Sequence, residues 1–313
     1  MRLFFTISTG LCSVAVGLTG LAIFRALTGI FAASVMPISL ALIGDMFPLK
    51  ERQAAIGTFM GISFLGQGLS MAIGGSIAYF FNWRGVFATY AALAVISTIL
   101  LLTIGKNIPS SKNSNSKVFT PYINLLKNLS SLKIYILVLF EGIFLIGFFS
   151  FLGVFIKNTY NFNNFIIGII MTAFGVMAVI GGRLSGKISD KIGRKQTILS
   201  GLCCAVVVNL LFFTLGNVIV ILIIGVGLLG LGFMLAHSTF LTIATEFAAK
   251  SRGVAMSLVA FFFMGGGGLG TAIGSRIVQN SSLTTLFMVY GIGLVLLVFT
   301  VLIIKKSFVL RKD

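Results

Sequence analysis

The 313 residues carry 58% hydrophobic and 9% charged side chains, with a net charge of +17 and a mean hydropathy of +1.11. Soluble domains carry roughly 25% charged residues, so this composition excludes a soluble enzyme and a disordered chain and points to a polytopic membrane protein. The basic excess would suggest nucleic acid in a soluble protein; here it is explained by topology, and no nucleic-acid partner is expected. Cys12, Cys203 and Cys204 sit in apolar runs and form neither a disulfide framework nor a metal-ligand spacing. With no metal cluster, cofactor motif or nucleophile–base pair, the chain reads as no enzyme, without metal or cofactor.

Polar breaks divide the chain into about ten apolar segments, at 2–17, 19–45, 53–80, 85–104, 134–156, 163–186, 196–215, 217–244, 253–277 and 284–304. None alternates with period 2, so helices rather than barrel strands are expected to span the bilayer. A cytoplasmic start places Arg2, Lys50, Arg52, Lys106, Lys112, Lys117, Lys127, Lys133, Lys187, Lys191, Arg194, Lys195, Lys250, Arg252, Lys305, Lys306, Arg311 and Lys312 inside. Arg84, Lys157 and Arg276 fall outside, and Arg25 and Arg183 lie within spans. Eighteen against three satisfies the positive-inside rule with both termini cytoplasmic. Residues 105–132, rich in Ser, Asn and Lys, read as a cytoplasmic linker holding a short amphipathic helix.

Sliding the sequence by 200 positions reveals a gapless repeat: Phe47 on Phe247, Lys50 on Lys250, Arg52 on Arg252, Ala55 on Ala255, Gly66 on Gly266, Gly74 on Gly274, Phe87 on Phe287 and Tyr90 on Tyr290. Six spans separate the copies, which makes the repeat parallel and excludes two inverted five-span halves. Counterparts of 133–200 would fill 68 positions before Met1. The expected architecture is therefore two parallel-repeat helical halves with ten of twelve helices present. Residues 1–104 form an incomplete four-helix half, 105–132 the linker and 133–313 a six-helix half.

The run Gly186-Lys-Ile-Ser-Asp190-Lys191-Ile-Gly193-Arg194-Lys195 resembles the signature loop of the major facilitator superfamily. Leu21-x-x-x-Arg25-x-x-Thr28-Gly29-x-Phe31-Ala32-Ala33 resembles that family's fourth-helix motif, departing at Thr28 and Phe31. Gly57, Gly66, Gly74 and Gly75 have the spacing of its fifth-helix antiporter motif, with Ser70-Met71 where Gly-Pro is usual. The resemblance implies the major facilitator fold and proton-coupled efflux of a small molecule by alternating access. The expected setting is a monomer in the cell membrane with protons as coupling ion. A truncated, non-transporting fragment or scaffold is the alternative.

Ionisable groups inside a membrane are costly and so mark function. Glu141 lies near the middle of its span and is the first candidate for proton coupling. Arg25 follows from the fourth-helix motif, and His237 is a candidate because histidine as a residue type can change charge near physiological pH. Asp190, Arg194, Lys195, Glu246 and Arg252, with Gly186 and Gly193 in the signature loop, are expected to latch the cytoplasmic side, as are Asp45 and Arg52 in the first half. Gly57, Gly66, Gly74, Gly75, Gly266 and Gly274 are expected to let helices pack closely.

Overall fold

A computed structural model describes residues 2–105, 119–247 and 251–304. All regular structure among them is helical: α1 (Arg2–Ser13), α2 (Gly17–Ala32), α3 (Val35–Met46), α4 (Leu49–Phe80), α5 (Trp83–Ile104), α6 (Thr120–Lys127), α7 (Leu129–Glu141), a π-helical turn (Gly142–Ile146), α8 (Gly147–Tyr160), α9 (Asn164–Ile192), α10 (Arg194–Leu215), α11 (Ile219–Phe247), α12 (Arg252–Asn280) and α13 (Leu283–Ile303). Nine of the described segments are long and apolar enough to cross a membrane. Much of the linker, with Lys106, Lys112 and Lys117, lies outside the described residues, as do Lys250, Lys305, Lys306, Arg311 and Lys312.

One expected span falls short, and a second, although Gly17–Met46 is long and apolar enough to cross, is interrupted by a turn. The first is a helix of 12 residues, about 18 Å long against a core of about 30 Å. It stops before a turn that ends at Gly17, whose φ of +71° suits a residue without Cβ. The second is broken at Ala33–Ser34 into α2 and α3. Pro37 in the first turn of α3 has no N–H for the Ala33 carbonyl, and its ring crowds that oxygen, so one continuous helix is disfavoured.

Close helix contacts run through small residues. α4 lies along α9, where Gly57 meets the Gly182 backbone, Gly61 the backbone of Val179, Gly175 that of Leu65 and Gly168 that of Ala72. A side chain at any of these positions would push two backbones apart, and in lipid such backbone approach supplies much of the attraction between helices. Gly266 sits likewise on the Leu139 carbonyl, and Gly274 on Phe151 and Tyr290. A Cβ added at Gly74 would meet Tyr90 and Val86, and one added at Gly75 would meet Asn164. Gly66 departs from the expectation: a Cβ there would meet nothing within 4 Å, because this face of α4 turns away from α9.

α11 is central. It packs on α9 and α10 and reaches α4, α7 and α12, and its most apolar window is 61% buried, against 6% for α5. α1 packs on α2 and α5, and α12 on α3, α7 and the π turn. α6 is a short amphipathic helix that buries Leu125, and its Tyr122 hydroxyl lies 3.1 Å from the Ser257 hydroxyl of α12.

Candidate functional site

Two polar features interrupt this apolar packing, one in the middle of the bundle and one at its basic end. Glu141 is the last residue of α7, immediately before the π turn. A π turn fits one extra residue into the helix and is frequent at functional sites. The turn and the start of α8 are pressed against α12, with Gly142 on the Phe263 carbonyl and Gly147 on Gly270. Glu141 is fully buried, and its Oε2 lies 2.9 Å from Nδ1 of His237, itself 1% exposed, on α11. The His237 ring stands 5.0 Å from that of Phe233 and 4.2 Å from that of Phe263. Oε1 of Glu141 has no hydrogen-bond partner among the described residues.

Polar neighbours on α11 are otherwise committed. Ser238, Thr239 and Thr242 donate to the carbonyls of Met234, Leu235 and Ser238, and Thr245 donates to Thr242. Gln53 of α4 was not singled out from sequence because it lies at the edge of an apolar run beside Arg52. It is buried, and its Nε2 donates to the Ser185 carbonyl of α9 at 3.1 Å and to Thr239 Oγ1 at 2.8 Å. One amide thereby joins three helices.

Arg25 is not brought to the carboxyl–imidazole pair. α2 packs chiefly on α1, and the Arg25 guanidinium stands exposed, 5.8 Å from the centre of the Phe87 ring of α5.

At the basic end, Gly193 serves as both the C-cap of α9 and the N-cap of α10, with φ +87°. That left-handed turn suits glycine, and it starts α10 at Arg194. Arg194 grips Glu246 of α11 with two parallel hydrogen bonds of 2.6 Å. Arg252 of α12 pairs with Asp45 of α3 and donates to the Thr245 carbonyl. Asp45 therefore finds its partner in a segment 207 positions away. Arg52 is buried, donates to the Phe47 carbonyl at 3.2 Å, and lies within electrostatic reach of Asp45, Arg194, Glu246 and Arg252.

Lys195 and Asp190 stand apart from these pairs. Lys195 donates to the Leu302 carbonyl at 2.6 Å, satisfying a free carbonyl in the last turn of α13. Asp190, with Gly186, Gly193 and Arg194, lines a cavity of about 310 Å³ facing Leu49, Lys50 and Gln53 at the start of α4; among the described residues it forms no ion pair.

The Major Facilitator Superfamily model matches residues 1–271 and again 156–312. An uncharacterised transporter of this type, YceJ of Bacillus subtilis, is 28% identical over 88% of this chain and 71% of its own length. A probable sugar efflux transporter of Helicobacter pylori is 25% identical over 83% of this chain and 66% of its own. The multidrug transporter protein MdtP of Bacillus subtilis is 35% identical over 31% of this chain and 18% of its own. With the family model matching well over half of the chain, the chain belongs to the Major Facilitator Superfamily.

Proposed function

We propose that the protein is a secondary active transporter of the bacterial plasma membrane that couples proton movement to efflux of a small molecule by alternating access. The observation that carries the coupling is the buried Glu141–His237 pair. With the carboxylate ionised and the imidazole neutral, Nδ1–H donates to Oε2 and the pair carries one negative charge. One proton more, on the carboxyl or on the ring, makes the pair neutral overall without breaking it apart. In a medium of low dielectric constant that change of charge is costly or favourable by far more than in water. Proton occupancy can thus select between two arrangements of α7 and α11.

The basic end supports the other half of the cycle. Positive residues mark it as the cytoplasmic side, with both termini there. Arg252–Asp45 and Gln53 tie segments before the linker to segments after it. Opening towards the cytoplasm would separate these contacts, while the glycine-lined seam of α4 and α9 offers a surface on which the halves can rock. Efflux is the direction named for the Helicobacter pylori relative, and drugs and sugars are the two cargo classes suggested by the relatives' names.

The test uses everted membrane vesicles holding the full chain, energised to acidify their lumen, with ethidium and a radiolabelled disaccharide as probes. At least one probe should accumulate and draw protons out in wild-type vesicles. Glu141→Gln, which keeps an amide next to His237, should abolish both effects while leaving the amount of folded protein unchanged. Accumulation by Glu141→Gln at the wild-type rate would overturn the coupling role. If neither probe moved in wild-type vesicles, transport of these two classes would be excluded.

A further inference from the structure

The short helix α6 is bound to the bundle along one side only. It packs on α7 and α12, with Leu125 buried, Tyr122 half-buried and the Tyr122 hydroxyl 3.1 Å from that of Ser257. Beside that side runs a second apolar stripe that stays open: Phe119 is 75%, Ile123 49% and Leu126 36% exposed. At 3.6 residues per turn these three fall within an arc of about 60°, next to the arc of Tyr122 and Leu125. Thr120, Asn124 and Lys127 fall on the far flank of the stripe. The order around the helix is therefore bundle, free apolar stripe, polar side, as in a helix lying in the plane of a membrane interface.

Depth and charge agree with that setting. Arg252 opens α12 at the basic end, and Ser257 lies five positions further in, about 8 Å along the axis. Tyr122 therefore holds α6 at the edge of the hydrocarbon rather than out in the cytoplasm. On α7, Leu129, Lys133, Ile136 and Phe140 share one face, and all four are exposed. A lysine on such an apolar stripe leans back towards the start of its helix and snorkels to the headgroups. Lys127 ends α6, and Asn128 alone separates it from α7. The sequence has no acidic residue between Glu51 and Glu141, whereas 105–132 carries Lys106, Lys112, Lys117 and Lys127. An anionic lipid surface attracts each lysine near it.

We propose that α6 is a lipid-contact helix whose Phe119, Ile123 and Leu126 enter the cytoplasmic leaflet while Lys127, with Lys133 of α7, holds headgroups of anionic phospholipid. Because the other side of α6 packs on α7 and α12, the charge of the leaflet bears on the helix that carries Glu141. The choice of leaflet rests on the cytoplasmic orientation proposed above; the lipid contact does not, and neither rests on proton coupling.

The experiment uses the full chain with Trp83→Phe, which removes its one tryptophan, and Phe119→Trp as the probe. It is reconstituted in vesicles of phosphatidylcholine, alone or mixed equally with phosphatidylglycerol, whose acyl chains are brominated just below the headgroup. Both leaflets have the same composition, so the result does not depend on sidedness. In mixed vesicles the emission should be blue-shifted, quenched by bromine and little affected by aqueous acrylamide. The ratio of bromine to acrylamide quenching should fall in phosphatidylcholine alone. In mixed vesicles Lys127→Gln and Lys133→Gln should each lower it about fivefold. Ile123→Trp should repeat the behaviour of Phe119→Trp, and Asn124→Trp, on the polar side, should be quenched by acrylamide instead. Acrylamide quenching of both stripe variants would overturn the proposal. So would protection from both quenchers, the sign of a second copy or another protein on the stripe. Equal bromine quenching with and without phosphatidylglycerol would overturn the assignment of Lys127 and Lys133 to anionic headgroups.

Discussion

Along α11, His237 and Glu246 stand about 14 Å apart, and the ion pairs they make are of opposite kinds. His237–Glu141 is sealed from solvent, has one hydrogen bond of 2.9 Å and, among the described residues, leaves one carboxyl oxygen without a hydrogen-bond partner. Arg194–Glu246 is bidentate, with side chains 15% and 17% exposed, and Arg252–Asp45 beside it is open enough that Asp45 is 60% exposed. Water can compensate the outer pairs whenever they part, so they can form and break in each cycle at small cost. The inner pair is out of contact with bulk solvent, so a change in its charge costs far more there than at the surface. One family of interactions therefore suits a reversible latch, and the other suits a switch driven by a single proton.

Removing one partner from each site should separate the two kinds. His237→Leu leaves Glu141 alone in apolar surroundings, and orphaning a buried charge costs about 3–5 kcal/mol. Thermal unfolding of the purified protein should show this penalty at neutral pH and a smaller one in acid, where the carboxyl is neutral. A small, pH-independent penalty would contradict a charged inner pair. Arg194→Ala should cost about 1–3 kcal/mol, because Glu246 is only partly able to turn to water, and Arg194→Lys should recover only part of it, lacking the two-pronged geometry. Asp45→Asn should change stability by less than about 1 kcal/mol. Salt gives an independent check: at 1 M the screening length falls to about 3 Å. The cost of Asp45→Asn should vanish there, while that of His237→Leu persists.

How much of this could be read from the sequence varies by feature. Glu141 and His237 were each identifiable as lone ionisable residues in long apolar runs, since lipid makes such residues rare. Nothing in the sequence joined them, because they are 96 positions apart and meet only where α7 crosses α11. The signature loop located Arg194, Asp190 and Lys195, yet the three ended with different tasks: an ion pair, a cavity wall and a helix-end contact. Gln53 gave no signal beyond a polar side chain at the edge of an apolar stretch, and the contacts it makes to α9 and α11 rest on burial that composition cannot report.

By itself the sequence determined that this is a helical, multi-pass membrane protein, because lipid admits few charges and requires each segment to satisfy its own backbone. It also determined which end of the bundle carries the basic residues. Only the tertiary structure decided that α1 is too short to span, that a turn divides Gly17–Met46, that Gly57 packs while Gly66 does not, and that Asp45 closes on Arg252. These outcomes depend on which faces of two distant helices meet, and helical periodicity fixes a residue's face without fixing what lies opposite it.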